Sequence, residues 1–250
     1  MSEPSIDVSD YDQSGYDYKK YWENRQYDDA VEREVLTNLL PSFGNNLVDL
    51  GGGYGRLMEV YQPRFKQVVI CDFSKQLLQA AQSKIETKGY HNVTTQQGNV
   101  YELPFGNTFF DVVLMVRVLH HLERPSLALH EIQRVIKPGG LLVLQFANKV
   151  HLKNRIKAFM SRKPELIDKK PINLSETGIF YQFHPDYVKE KLTENDFSVI
   201  KIVSASHFRI PFVYRFIPVP FLMFLERIVE PLFTKFLLGP SLFVVAKKKE

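Results

Sequence analysis

With 250 residues, 44% of them apolar, the chain has the length and the material for one large domain with a packed core. Its lone cysteine, Cys71, excludes an internal disulfide and points to a reducing, cytosolic compartment, while the polar, acidic start MSEPSIDVSDYDQ has no apolar stretch and does not read as a signal peptide. The net charge of +4 divides into −6 over residues 1–40, with ten acidic and four basic residues, and +10 over the rest, a modestly basic body without the dense patches of most nucleic-acid binders.

The N-terminal stretch is rich in aromatics (Tyr11, Tyr16, Tyr18, Tyr21, Trp22, Tyr27), with Arg25 among them. A helical pattern then covers 30–40. Strands are predicted at 46–50, 67–72, 93–97, 111–116 and 140–146. Several are apolar without alternation, as expected of strands covered on both faces. Helices are predicted at 74–88, with Ser74 as N-cap, and at 126–136, closed by Pro138-Gly139-Gly140. Such alternation implies a parallel, doubly wound α/β sheet with right-handed crossovers. After Ala147 the rhythm breaks. Residues 148–183 are polar and basic with no clear strand, 185–195 read as a helix and 198–204 as a strand. Residues 207–239 are dense in aromatics and prolines, and a strand at 241–246 closes the chain. The uncharged apolar run 216–225 is too short to span a bilayer and holds two prolines. One α/β domain with two late insertions is expected.

The segment LVDLGGGYGRL (47–57) follows the first strand with four glycines in five residues. A glycine-rich turn between strand and helix brings backbone N–H groups and the helix dipole close to a ligand. A phosphate-cradling loop needs G-x-x-x-x-G-K-[ST], and no Lys-Ser/Thr pair follows. A dinucleotide fingerprint needs its third glycine at position 56, which is Arg56. The spacing is D-x-G-x-G-x-G, through Asp49, Gly51, Gly53 and Gly55. In this spacing the chain resembles the class I S-adenosylmethionine-dependent methyltransferases.

The resemblance covers roughly 30–147 and 183–206, plus the last strand. It implies a mostly parallel, seven-stranded, Rossmann-like sheet with helices on both faces, S-adenosylmethionine as cofactor, and residues 1–40 as a helical lid ahead of a domain at 41–250. In CDFS, Asp72 is expected to accept from the ribose hydroxyls, set against the plainer reading of a helix-capping residue, and Phe73 to lie against adenine. GNVYELPF (98–105) is similar to the adenine segment, with Asn99, where the family usually has Asp, and Val100 as contacts. FDVVLMVRVLHHL (110–122) and EIQRVIKPGGLLVL (131–144) are similar to the fourth and fifth strands, with Arg117 counted on the cofactor side. FHPDYVKEKLTENDFSVIKI (183–202) is similar to the sixth-strand unit, with Asn195-Asp196 in place of Ala-Gly. Arg25 in the lid is expected at the methionine carboxylate, set against the plainer reading of an aromatic arm packed on the domain surface. His121, next to His120, is the first candidate base and His184 the second, each set against the plainer reading of a packed or solvent-facing loop histidine. No metal site is expected: there is no HExxH, and one cysteine cannot build a thiolate site.

Residues 149–170 hold eight basic side chains against Glu165 and Asp168. Residues 208–238 are too apolar for a free loop and too broken for a membrane span. An apolar substrate tunnel or membrane-facing platform, extra core, and an oligomer interface all remain open for that run. The resulting expectation is a methyltransferase, monomer or homodimer, acting on an amphipathic or lipid-linked small molecule such as a quinone precursor. The rivals are an RNA or protein methyltransferase and an idle cofactor- or membrane-binding partner subunit. Against RNA, no N/D-P-P-[YF] motif follows strand four, where 117–120 read RVLH.

Overall fold

In the computed structural model, which describes residues 18–176, 178–210 and 216–250, two helices precede the first strand. They are α1 (Tyr18–Glu23) and α2 (Gln26–Leu39). Tyr11 and Tyr16 of the aromatic stretch lie outside the described residues. Helix α2 turns Tyr27, Val31 and Leu36 inward at helical spacing, and Asp28 and Glu32 share that face.

Strand β1 (Gly44–Leu50), the one-turn helix α3 (Met58–Tyr61), β2 (Phe65–Asp72), α4 (Lys75–Lys88) and β3 (Val93–Gln97) form the first half of the domain. The expected cap of α4 is present: Ser74 Oγ accepts from Leu77 N at 3.0 Å. Gly89 ends the helix in the left-handed conformation, φ 66°. The second half starts with β4 (Phe110–Met115), α5 (Pro125–Val135) and β5 (Ile136–Ala147). Strand β5 begins earlier than its apolar run suggests. Its first residues pair across a register shift at Phe110/Val112, where Pro138 cannot donate to the ladder and Gly139 takes φ 72°.

Residues 148–183 carry α6 (Leu152–Ser161) and a small hairpin, β6 (Ile172–Asn173) with β7 (Tyr181–Gln182), two short strands that the sequence reading omits. The chain finishes with α7 (Pro185–Glu194), β8 (Phe197–Ala205), α8 (Val219–Phe236) and β9 (Ser241–Lys248).

Seven strands form one sheet in the order β3-β2-β1-β4-β5-β9-β8. The β1–β2, β1–β4, β2–β3 and β4–β5 pairs are parallel, and β9 runs antiparallel between β5 and β8. This is the mostly parallel, doubly wound sheet that the resemblance implies. One core includes side chains of α2, α4 and α8 (Val31, Ala81, Leu222). The other includes side chains of α5 and α7 (Ile132, Leu192). Helix α8 is thus part core, through Leu222 and Met223, while its opposite face stays open. Among the described residues no helix is long and apolar enough to cross a membrane.

Candidate active site

Strands β1, β2 and β4 bring their C-terminal ends to the crevice where the strand order reverses, the place where open α/β sheets bind ligands. A cleft opens there, walled by apolar Leu50, Leu77, Leu103 and Leu122. Of the residues singled out in the sequence, Gly51, Gly53, Asp72, Phe73, Val100, Arg117 and His121 line it. Cys71, Gly98 and Val118 also line it, without any sequence signal beyond their places next to the motifs.

The glycine turn is built on left-handed backbone: Gly51, Gly53 and Gly55 have φ of 69°, 53° and 71°. Gly51 N donates to the Cys71 carbonyl at 2.7 Å and pins the turn to β2. Gly53 N donates to Asp72 Oδ2 at 2.8 Å, and Ser74 N donates to Oδ1 at 2.9 Å. Two backbone donors therefore fix the Asp72 carboxylate at the lip of the cleft. Gly55 does not line the cleft. A Cβ there would sit 2.5 Å from Met58 Cε, so this glycine serves packing. The expected helix dipole is also largely missing. Helix α3 lasts one turn before a 3₁₀ turn holding Pro63, so the approach to a ligand is left to the loop backbone.

Asp49 is not a cleft residue. It is buried beneath the turn and accepts from Tyr61 Oη at 2.7 Å. Burial pushes its carboxyl up to about 7, against the pull of Tyr61 and Arg56 and with some help from Asp72. The folded value lies above the ordinary 3.8, so between the two the native state keeps a proton that the unfolded chain has lost. Its stabilising share is complete below the unfolded value and declines as pH rises towards 7. Asp49→Asn keeps an acceptor for Tyr61 and never ionises. It should melt with the wild type near the acid end and be more stable by about 4 kcal/mol above pH 7. A calorimetric melting series across pH checks this, and identical pH profiles would refute it.

Helix α1 and the turn are joined by a charged sandwich. The Arg56 guanidinium lies 3.6 Å and that of Arg117 4.6 Å from the Trp22 ring centroid. Arg56 pairs with Asp29 and Glu32, and Arg117 meets Glu32 at 2.6 Å. Burial alone would raise the Glu32 carboxyl, but Arg117, Arg56 and Arg209 hold it below the usual range. Arg117 adopts φ 61°, and its Nη1 donates to Tyr21 Oη at 3.3 Å. Arg25 is not in the cleft. It pairs with Asp28 at 3.3 Å and lies over the Tyr21 ring. Sequence reasoning assigns no site role to Arg56 or Glu32. The usable signal is that Asp28 and Glu32, four apart, fall on the same helical face as Val31 and Leu36.

His121 follows β4 in a 3₁₀ turn (Leu119–His121). Its Nδ1 is 2.9 Å from the Ile179 carbonyl oxygen, and burial lowers its pKa, so the ring is neutral at pH 7. A neutral ring that donates from Nδ1 keeps its lone pair on Nε2. Phe180, from the insertion, packs on the neighbouring His120 at 4.7 Å and on His121 at 5.8 Å. His120 is buried and held well below its ordinary pKa by desolvation. His184 lies outside the cleft. It caps α7, its Nδ1 accepting from Asp186 N at 3.1 Å. Asn99 is likewise outside. Its Oδ1 accepts from Tyr101 N at 3.0 Å and shapes the loop that presents Val100.

Residues 48–144 match the family model described as a methyltransferase domain. The ubiquinone/menaquinone biosynthesis C-methyltransferase UbiE of Shewanella frigidimarina is 35% identical over 113 residues, 43% of this chain and 45% of that protein. YcgJ of Bacillus subtilis, described as an uncharacterized methyltransferase, is 30% identical over 100 residues, 40% of each chain. Its solved structure superposes with a TM-score of 0.60 over 87% of this chain and 98% of that one, at 16% identity. The cyclase SpnF shares the fold at the same TM-score, 19% identical over 90% of this chain and 81% of that one. The chain spans under half the length of the curated relatives it matches. The sheet has the class I methyltransferase fold, and residues 48–144 match the methyltransferase-domain model.

Proposed function

We propose that this chain, built around a class I methyltransferase domain, transfers a methyl group from S-adenosylmethionine to a small, amphipathic acceptor of the quinone-precursor or lipid-linked kind. The observation that carries the reading is the cleft itself, with a fixed carboxylate, Asp72, on β2 and a guanidinium, Arg117, after β4. The donor set suits the cofactor. A carboxylate accepts from vicinal hydroxyls and apolar walls with Phe73 take a flat ring, while the Arg117 guanidinium is already paired with Glu32. The quinone-type acceptor draws on the description of the Shewanella relative and on the apolar cleft walls.

S-adenosylmethionine supplies a methyl group already activated on a sulfonium. The protein therefore has to align the acceptor and, where the nucleophile carries a proton, take it away. Helix α1 acts as the lid, tied to the turn and to the residue after β4 by the contacts of Trp22 with Arg56 and Arg117. His121 receives the acceptor's proton on Nε2, held in that tautomer by Ile179. Phe180 and His120 pack against its ring.

Asp72→Ala removes the charged acceptor of two hydroxyls and should weaken S-adenosylmethionine binding by about 1.5–3 kcal/mol, ten- to over a hundredfold. Isothermal titration calorimetry reads the change. A loss under about twofold, with a lowered melting temperature, would leave Asp72 only as the anchor of Gly53 and Ser74.

A further inference from the structure

We infer that the outward faces of α6 and α8 form a docking platform for an anionic lipid surface. In a globular protein a surface helix turns its apolar stripe inward and its polar face to water. Helix α8 has an apolar stripe on each side. Leu222 and Met223 face the core, while Phe221, Phe224, Ile228, Leu232 and Phe236 recur at three- and four-residue spacing on the opposite face and are all more than half exposed. Five large apolar side chains in one exposed row exceed the scattered apolar residues of an ordinary surface.

Helix α6 repeats the pattern at the end of that row. The two helices join where Leu152 N donates to the Leu238 carbonyl at 2.9 Å and Arg155 Nη2 to that of Phe236 at 3.0 Å. Among the side chains of α6 only Ala158 is buried. Ile156, Phe159 and Met160 share an outward face, Phe159 being 86% exposed. Lys153 and Lys157 flank that face, and Arg162 and Lys163 follow at its end. None of these four cations is ion-paired among the described residues, whereas Lys149 and Lys169 of the same insertion are consumed by Asp168 and Glu190. An apolar face edged by unpaired cations is the composition of an in-plane, interfacial helix, and its charge complements anionic headgroups. A face of another protein would need matching acidic groups on an apolar patch, while an anionic bilayer offers both layers at once.

The inference does not depend on methyl transfer, and the experiment separates the two. Vesicles of phosphatidylcholine alone and of phosphatidylcholine with phosphatidylglycerol are sedimented with the full chain, and S-adenosylmethionine binding is measured in parallel by calorimetry. Wild type should sediment with the mixed vesicles, less so at high salt, and remain in solution with the neutral ones. Lys153→Glu/Lys157→Glu and Phe159→Glu/Met160→Glu should each lower the partition coefficient about tenfold or more, with melting and cofactor binding unchanged. Phe221→Glu/Phe224→Glu should do the same from α8. Phe159 and Met160 are 86% and 78% exposed, so that comparison stands even if the α8 pair unfolds. Wild type that ignores both vesicle types, or variants that bind as wild type does, would overturn the inference. So would a dimer in sedimentation velocity that these substitutions dissolve without any vesicle binding, since the face would then belong to a second copy of the chain.

Discussion

Replacing Gly53 with valine is expected to remove S-adenosylmethionine binding, a loss beyond about a hundredfold in affinity. Gly53 takes φ 53°, where a β-branched residue is strained by about 1–3 kcal/mol, and it lines the cleft, where any side chain would fill space meant for ligand. Its N–H also holds Asp72 at 2.8 Å, so a shifted turn releases the carboxylate as well. Gly53→Asn separates the causes. Asparagine accepts left-handed backbone, so that variant should keep the wild-type melting temperature and still fail to bind. Wild-type affinity in both variants, read by calorimetry, would move the cofactor away from the turn.

The second large effect is expected at His121. His121→Ala should leave cofactor affinity nearly intact and lower kcat by about 10²–10⁴ with an acceptor whose proton must leave. The sign of the pH dependence follows from burial, which holds the imidazole below its ordinary value of 6.5. The ring is thus the free base at and above neutral pH, so wild-type kcat should be flat upward from pH 7 and fall only on the acid side. The variant should lose that acid limb. Steady-state kinetics over pH with the true acceptor checks both, and unchanged turnover would take His121 out of the mechanism.

The sheet is legible in the sequence because strands covered on both faces carry unbroken apolar runs. LVDL, VVICD and DVVLM all lie within their expected strands. Motif spacing also leads to the cleft residues that the local backbone presents, Gly51, Gly53, Asp72 and Val100. It misleads where a motif residue is spent on the scaffold. Asp49 and Gly55 sit in the fingerprint yet face the core, and Asn99 and His184 turn their polar atoms to their own backbone. Long-range pairs leave no local trace. Arg56, read only as the residue that breaks a dinucleotide pattern, turns out to clamp Trp22 and reach Glu32 across 24 positions. Arg25 and Arg117 show the same limit. The aromatic surroundings of Arg25 suggest a ligand role, but Asp28 is three residues away, while Arg117, at the cleft wall, is held by Glu32 85 positions earlier. The apolar run of α8 announces burial, yet only tertiary structure shows that one stripe is buried and the other is not.

Transfer of tritium from methyl-labelled S-adenosylmethionine tests the proposed activity most directly. Wild type is incubated with separate quinone-precursor, lipid, polyprenyl-glycan, RNA and protein fractions, and label is counted after organic extraction. Label should pass into an organic-soluble product with a quinone-precursor or lipid fraction, and Gly53→Val and His121→Ala should leave it in the aqueous phase. Label that stays on the cofactor with every fraction, or that appears only in RNA or protein, would contradict small-molecule methyl transfer by this chain.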